Sequence, residues 1–173
     1  MTKVAVIGNA GGGKSTMCRS LSQVQKLPYY AIDKIQWKPN WIPTSDIEYD
    51  QVHDKLISEA RWIIDGYGSW SSIEKRLSRA DTIILVDHPI RIHFWWAIKR
   101  QIKSLFWGRL DGPDGCKMWP VTFRLFKMIW HLHIESRPKL IGLINKQRDH
   151  AQIYHIKNPR ELSEFAALHC VRR

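Results

Sequence analysis

A glycine-rich turn near the start of the chain has the residue types that phosphate binding requires. The segment GNAGGGKS follows a short apolar run and precedes a stretch of helical periodicity. Glycines let successive backbone N–H groups converge on phosphate oxygens, and a helix start adds its unpaired N–H groups and positive dipole end. Lys14 would contact the β- and γ-phosphates, and Ser15 would offer its hydroxyl to Mg²⁺. The pattern predicts a binding site for a nucleoside triphosphate, and Mg-ATP is the leading candidate. The site would be formed by Gly8, Asn9, Ala10, Gly11, Gly12, Gly13, Lys14, Ser15 and Thr16.

Three aspartates, Asp33, Asp65 and Asp87, each stand at the end of a predicted strand. Ligands of parallel sheets lie beyond the carboxyl ends of the strands, so these side chains are expected close to the glycine-rich turn. Mg²⁺ bound to phosphates prefers few carboxylates and several waters. Each aspartate could reach that water shell, and the spacing does not decide which one serves the metal.

Residues 91–107 combine helical periodicity with cations and aromatic rings. At about 100° per residue, one arc of side chains is apolar and is predicted to be buried, whereas Lys99, Arg100 and Lys103 lie on another arc. Cations on a mobile helical lid would offset the charge of a transferring phosphoryl group. The same mixture would suit single-stranded nucleic acid, an anionic membrane surface, or a core helix with a solvated basic side. The apolar arc comprises Phe94, Trp95, Ile98, Ile102, Leu105 and Phe106.

The order of the elements predicts an α/β fold with a parallel sheet. Short apolar runs alternate with helical stretches, which implies βαβ units, and their unbroken apolar character implies that both faces of the sheet are covered. The predicted strands are Lys3–Ile7, Tyr29–Ile32, Trp62–Ile64, Thr82–Val86 and Gln152–Ile156.

The helical stretches are predicted with different exposure. A capping box at Ser45–Glu48 opens a helix with Val52, Leu56 and Ala60 on one side. A helix over 121–136 is apolar around most of its circumference, so it is expected to be core or a subunit interface and not a site. Breaks are expected at 108–120, as a mobile loop, and at Pro138.

Length and charge restrict the class of protein. The 173 residues suit a single domain with its own core, and 44% of them are hydrophobic. The formal net charge of +11 requires a polyanionic binding partner such as nucleotide phosphates, nucleic acid or an anionic surface. No segment approaches the ~18–20 apolar residues of a membrane span, and the N-terminus lacks the pattern of a signal peptide. A cytoplasmic protein is therefore expected.

The sequence resembles the P-loop nucleoside and nucleotide kinases, which include adenylate kinase and shikimate kinase. It is most similar to the bacterial adenylate-kinase-like proteins called DNA topology modulation, or FlaR-like, proteins. The matching stretches cover nearly the whole chain in order: IDKIQWKPNW from Ile32, WIIDGY from Trp62, Arg76–Leu77, ADTIIL from Ala80, Lys99–Arg100, Gly115–Cys116 and Arg137–Pro138.

The resemblance implies one three-layer α/β/α domain over residues 1–173. Its five-stranded parallel sheet would have the phosphate-loop strand in the centre and the Trp62 strand beside it, with a lid at about 88–120. Asp65 would serve Mg²⁺ together with Ser15, and Asp33 would orient or deprotonate the acceptor. The resemblance also implies that Lys14 and the lid cations Arg91 and Arg100 take part in catalysis. The residues that would line the acceptor pocket are Trp37, Trp41, Tyr67 and Arg76.

The chain departs from this family in its lid, where Trp96 stands in the place of an arginine. The leading hypothesis is an ATP-dependent kinase that phosphorylates a small metabolite, nucleoside or nucleotide. The alternative is a nucleotide-regulated nucleic-acid-binding protein, suggested by the net charge and the basic aromatic helix. A nucleotide-binding protein without efficient turnover is a third hypothesis, because a missing lid arginine costs phosphoryl transfer heavily. The acceptor and the oligomeric state are left open.

Overall fold

The structure is a computed structural model that describes residues 1–107 and 122–171, without the side chains of 104–107. The predicted lid region is therefore described only up to residue 107, and the predicted mobile loop and Cys116 lie outside the described residues. In chain order the elements are β1 Lys3–Gly8, α1 Lys14–Gln25, β2 Tyr29–Ala31, α2 Ile32–Gln36, β3 Trp37–Lys38, β4 Ile42–Pro43, α3 Asp46–Ser58, β5 Trp62–Asp65, α4 Trp70–Arg79, β6 Thr82–Val86, α5 Ile90–Trp107, α6 Thr122–His131, a π-helical turn Leu132–Ser136, α7 Arg137–Asn145, β7 Gln152–Ile156 and α8 Pro159–His169.

Five strands form one parallel sheet in the order β2-β5-β1-β6-β7. The phosphate-loop strand β1 is central, with β5 on one side and β6 on the other, which confirms the predicted arrangement. The register brings the carboxyl ends of the strands together, since Val6 pairs with Asp65 and Gly8 pairs with Val86. The ends of β1 and β5 therefore lie side by side at one edge of the sheet.

Alternate residues of the buried strands face opposite layers of helices. Val4 and Val6 pack with Met17 of α1 and Phe165 of α8. Ala5 and Ile7 face the other way, into a second cluster that includes residues of α3, α4 and α7. The three-layer α/β/α architecture is thereby confirmed, and burial on both faces explains why the strands are unbroken apolar runs.

Local details differ from the prediction in three places. The second strand ends at Ala31 and Ile32 already begins α2, so Asp33 lies in the first turn of a helix. Residues 37–43, for which no strand was predicted, contain the short antiparallel pair β3–β4. In place of the predicted break at Pro138, the π-helical turn leads directly into α7. Pro138 lies in the first turn of α7, where a backbone N–H would have no partner within that helix.

The helix after the capping box begins as predicted. The Ser45 side chain accepts a hydrogen bond from the Glu48 N–H at 3.3 Å. The buried residues of α3 are Tyr49, His53 and Ile57, whereas Val52 is exposed and Leu56 packs at the edge of the core. The Tyr49 hydroxyl lies 2.9 Å from the Ser72 hydroxyl of α4, which connects the buried stripe of α3 to that helix. Among the described residues, no helix combines the length and apolar character needed to cross a bilayer.

Candidate active site

The glycine-rich turn joins β1 to α1 in a conformation that glycine alone adopts without strain. Gly11 and Gly13 have φ of +68° and +77°, in the left-handed region, and α1 begins at Lys14 directly after them. The first N–H groups of α1 have no partner within the helix. The sequence-predicted loop thus lies at the carboxyl end of the central strand, between a sheet strand and a helix start.

Lys14 is buried at the base of this loop. Its Nζ donates a hydrogen bond to the Asn9 carbonyl at 2.8 Å, and 9% of the residue is exposed. Burial lowers the pKa of the Lys14 ammonium, and the nearby Arg100 lowers it further, while Asp65 and Asp33 raise it. A phosphate oxygen would compete well with one carbonyl for this ammonium, because an anion offsets the cost of burying a charge.

Ser15 and Asp65 meet beside Lys14. The Ser15 hydroxyl donates to Asp65 Oδ2 at 2.7 Å, and the Tyr29 hydroxyl lies 3.3 Å from the same oxygen. Burial raises the pKa of the Asp65 carboxyl, against the influence of Lys14 and Ser15. Asp65 Oδ1 is buried and has no hydrogen-bond partner among the described residues.

These groups fit Mg²⁺, which prefers oxygen ligands and keeps several waters. One hydroxyl and one buried carboxylate oxygen without a partner stand next to the loop. A bound divalent cation would supply the charge that stabilises ionised Asp65. The pairing of Ser15 with Asp65 thus matches the metal ligands that the sequence analysis expected, and Ser15 and Asp65 are the residues that would hold the ion.

Helix α5 is packed directly on the glycine-rich loop. His93 Nδ1 lies 2.9 Å from the Ala10 carbonyl, and a Cβ built on Gly11 would lie 2.5 Å from the His93 carbonyl. A Cβ on Gly13 would lie 2.9 Å from the ring of Trp96. Burial, and secondly Lys14, lower the pKa of His93 to about 4, so the ring is neutral and Nδ1 can donate to the carbonyl.

The predicted buried arc of α5 was therefore wrong. The buried residues are His93, Ala97 and Gln101, whereas Trp95 and Ile102 are exposed. The large apolar side chains of the predicted arc cannot occupy the contact with the loop, because the glycines bring the two backbones close together. Leu105 and Phe106 lie outside the described side chains. Trp96, Lys99, Arg100 and Lys103 instead line a cavity.

Helix α6 also reaches the loop, which corrects the expectation that it takes no part in a site. The Asn9 side chain donates to the Ile129 carbonyl at 2.7 Å. Ile129 is the buried residue of this helix. The side chains of α6 that line the cavity are Arg124, Leu125, Met128 and His131.

The cavity has a volume of about 760 Å³ and extends from the glycine-rich loop to a group of aromatic rings. Trp37 and Trp41 make an edge-to-face contact with ring centroids 5.9 Å apart, and Tyr67 and Trp70 make another at 5.6 Å. Asp33 lies on the same wall, close enough to Lys14 to raise its pKa. The predicted acceptor residues Asp33, Trp37, Trp41 and Tyr67 are thus gathered in one space with the loop.

Arg76 is fully buried behind the wall instead of lining it. Its Nη2 donates to the carbonyls of Gly66 and Tyr67 at 2.8 and 3.0 Å. Burial lowers the pKa of this guanidinium to about 10, so it stays charged at neutral pH. The structure gives Arg76 a supporting place, in which it fixes the turn that follows Asp65.

Two further candidates lie outside the cavity. Arg91 is exposed near the start of α5 and does not line it. Asp87 is held by Arg137 at 2.6 Å and 2.9 Å and by His155 at 2.8 Å. These partners tie the end of β6 to α7 and β7, so Asp87 is engaged away from the Ser15–Asp65 pair.

Several residues of the site were missed by the sequence analysis. Trp70, Arg19 and Arg124 line the cavity, and His93 connects the loop to α5. A polar stripe on the otherwise apolar α6, with Arg124 and His131 spaced at whole turns, was the available signal. Nothing in the spacing alone marks His93 as a partner of the loop.

Comparison with solved structures places the fold. Shikimate kinase from Acinetobacter baumannii, solved in complex with shikimate, superposes with a TM-score of 0.59 at 15% identity, over 97% of this chain and 90% of that one. The chain has the P-loop kinase fold. A gluconokinase from Sinorhizobium meliloti 1021 matches with a TM-score of 0.52 at 14% identity, over 97% and 93%. Shikimate kinase from Aquifex aeolicus vf5 matches with a TM-score of 0.51 at 18% identity, over 95% and 93%.

The sequence comparisons add no narrower assignment. No protein-family model matches the chain. No curated protein matches it either. Membership of the DNA topology modulation family, suggested by the motifs, stays a prediction, and the identities to the solved kinases are low enough that the likeness concerns the fold alone.

Proposed function

We propose that this protein is an ATP-dependent kinase that transfers the γ-phosphoryl group to a small molecule. The observation that supports the proposal most directly is the shared cavity, in which the glycine-rich loop, the Ser15–Asp65 pair and Asp33 face one space. Phosphoryl transfer needs positioning and charge stabilisation more than covalent participation by the protein. These residues supply both.

Each residue has a distinct part in this proposal. The loop N–H groups and Lys14 hold the β- and γ-phosphates, and Arg100 offsets charge on the transferring group. Ser15 and Asp65 hold Mg²⁺, which when bound neutralises phosphate charge. Asp33 orients the acceptor hydroxyl or phosphate and accepts its proton. Arg91 is left without a part, because it does not line the cavity.

The charges of the cavity indicate an anionic acceptor. Among the described lining residues, six are Lys or Arg and two are carboxylates, which leaves an excess of four positive charges. A triphosphate with one Mg²⁺ carries a net charge of about −2. The remaining excess suits a carboxylate or phosphate on the acceptor, while the aromatic rings suit a sugar or a base. A nucleotide or a small hydroxy acid meets both conditions.

The test is acceptor-stimulated ADP release. The protein is incubated with Mg-ATP and a panel of nucleosides, nucleotides and small hydroxy acids, and the phosphorylated product is identified by ³¹P NMR. We expect turnover with an anionic acceptor, and its loss in Asp33→Asn with Mg-ATP binding retained. Asp149→Asn, an exposed aspartate outside the cavity, is the matched control. Mg-ATP binding without stimulated ADP release across the panel would favour a nucleotide-binding protein that lacks turnover.

A further inference from the structure

Besides Met128, which lines the cavity, six large apolar side chains of the described residues stand exposed on α5 and on the stretch formed by α6 and the π-helical turn. Their exposed fractions range from 38% for Ile98 to 88% for Phe123. A folded protein rarely leaves a contiguous apolar surface without a use. We call these residues the outer face: Trp95, Ile98, Ile102, Phe123, Trp130 and Ile134.

The two helices run antiparallel and share a contact line. The rings of Phe94 and Phe126 meet edge to face at 5.7 Å, and the Gln101 side chain donates to the Thr122 hydroxyl at 2.8 Å. Residue numbers therefore rise along α5 while they fall along α6. The position of any other side chain can be read relative to this line.

On α5, the exposed apolar residues lie about 40–100° to one side of Phe94, at about 100° per residue. The cavity-lining Trp96 and Arg100 lie on the other side of Phe94. The helix thus separates an apolar outer surface, with Trp95 and Ile102, from a polar inner one.

On α6, the exposed Phe123 and Trp130 lie about 40–60° to one side of Phe126, and the cavity-lining Leu125 lies on the other. Because the helices are antiparallel, equal offsets from the shared contact line point in the same direction. The outer-face side chains of both helices therefore form one surface, and this surface faces away from the cavity.

The charges around the outer face are almost all positive. Residues 90–107 and 122–139 include one carboxylate, Glu135. Of their eight Lys or Arg residues, Arg91 and Lys127 are exposed outside the cavity, whereas Lys99, Arg100, Lys103 and Arg124 also line it and Arg137 pairs with Asp87. The Lys99 ammonium lies 4.8 Å from the ring centre of Trp95, and the exposed Lys127 lies between Phe123 and Trp130 in sequence. A partner for this face must therefore be both apolar and anionic.

We propose that the outer face binds the surface of a lipid bilayer that contains anionic lipids. Tryptophans favour the interface between lipid and water, isoleucines enter the acyl boundary, and the surrounding cations attract anionic headgroups. Nucleic acid accounts for the aromatic rings and cations but not for the isoleucines, which cannot stack on bases. A second copy of the chain would bring like charges together. The proposal does not rest on kinase activity, and the cavity stays open on the opposite side of the helices.

The test is co-sedimentation of the protein with vesicles. We expect binding to vesicles of equimolar phosphatidylcholine and phosphatidylserine, weakening as salt rises, and little binding to phosphatidylcholine alone. Phe123→Ser with Trp130→Ser should weaken binding roughly tenfold or more, because two apolar side chains are lost. Lys127→Glu should weaken it about tenfold through charge.

Matched controls separate the outer face from exposed apolar surface in general. Ile47→Ser with Leu168→Ser removes two residues that are 75% and 67% exposed elsewhere, and Lys55→Glu reverses an exposed charge on α3. These variants should bind vesicles like the unaltered protein, and all variants should keep the unaltered thermal unfolding temperature.

Four results would overturn the proposal. The first is no sedimentation of the protein with anionic vesicles at low salt, and the second is an equal loss of vesicle binding in the outer-face and control variants. The third is a gel shift with a single-stranded oligonucleotide that is lost in the outer-face variant while vesicle binding is kept. The fourth is a dimer in analytical ultracentrifugation that dissociates in the outer-face variant.

Discussion

Lys14 shows how a single residue is prepared for an anion. The ammonium is buried, its pKa is lowered mainly by that burial, and one carbonyl is its hydrogen-bond partner at 2.8 Å. A buried cation that is only partly compensated destabilises the protein without a ligand and strengthens the binding of a charged one.

Lys14→Met should therefore separate stability from binding. We expect Mg-ATP affinity, measured by isothermal titration calorimetry, to fall roughly 10- to 100-fold, because a charge-assisted contact is lost. The unfolding temperature of the protein without nucleotide should not fall, since the buried charge is removed while the methylene stem is largely kept. Lys55→Met, on the exposed side of α3, is the control. Equal Mg-ATP affinity in Lys14→Met and the unaltered protein would contradict a role of Lys14 in phosphate binding.

At the scale of elements, the contact between α5 and the glycine-rich loop decides the shape of the site. His93 bonds to a loop carbonyl, and the loop glycines admit the helix backbone and the Trp96 ring. The described part of the predicted lid is thus seated on the loop at its N-terminal half. Movement of α5 would change the loop itself, so nucleotide binding and helix position are expected to be coupled.

Gly11→Ala tests this packing, with Gly142→Ala as the matched control. At Gly11 the new methyl group meets the His93 carbonyl and a left-handed backbone, so unfolding free energy should fall by about 2–4 kcal/mol. Gly142 lies in α7, where a new methyl group would have no neighbour within 4 Å, so alanine there should raise the unfolding free energy by about 0.5–1 kcal/mol. Denaturant unfolding gives both values. A loss of only about 1 kcal/mol in Gly11→Ala would reflect backbone strain alone and contradict the packing.

At the scale of the whole molecule, Asp87 ties the sheet to the helical layer above it. Burial by itself would raise the pKa of its carboxyl, but hydrogen bonds from Arg137 and His155 outweigh burial and hold the pKa below its ordinary value of 3.8. A carboxyl whose pKa is lower in the folded state stabilises the fold when ionised. This contribution is complete above pH 3.8 and is lost as the pH falls from there through the folded-state value.

Asp87→Asn should therefore lower stability at neutral pH and flatten its acid dependence. We expect a loss of about 1 kcal/mol, because the Arg137 side chain is 43% exposed and can be rehydrated. The difference from the unaltered protein should vanish well below pH 3.8, where Asp87 is protonated in both states. Thermal unfolding over a pH series measures it, with Asp149→Asn as the control for charge removal. A difference that persists unchanged into acid would contradict the assigned ion pair.

The sequence by itself determined the sheet, the loop and the acids at the strand ends. Unbroken apolar strands and a glycine-rich turn before a helix are local patterns, and each strand joins its neighbours through backbone groups that every residue has. The central place of β1 beside β5 was implied by the resemblance to the P-loop kinases, because a parallel sheet does not by itself fix the order of its strands. The meeting of Ser15 with Asp65 then follows, because the carboxyl ends of neighbouring parallel strands share one edge.

Only the tertiary structure decided which face of α5 is buried, because periodicity ranks side chains by polarity and not by the partner they meet. The partner is a glycine loop, which requires the small Ala97 and the hydrogen-bonding His93 instead of the large apolar side chains. Periodicity likewise did not predict that Arg76 is buried behind the cavity wall, that Arg91 lies outside the cavity, or that side chains of α6 line it. Contacts between residues distant in sequence depend on how the layers close, and a linear pattern does not contain that information.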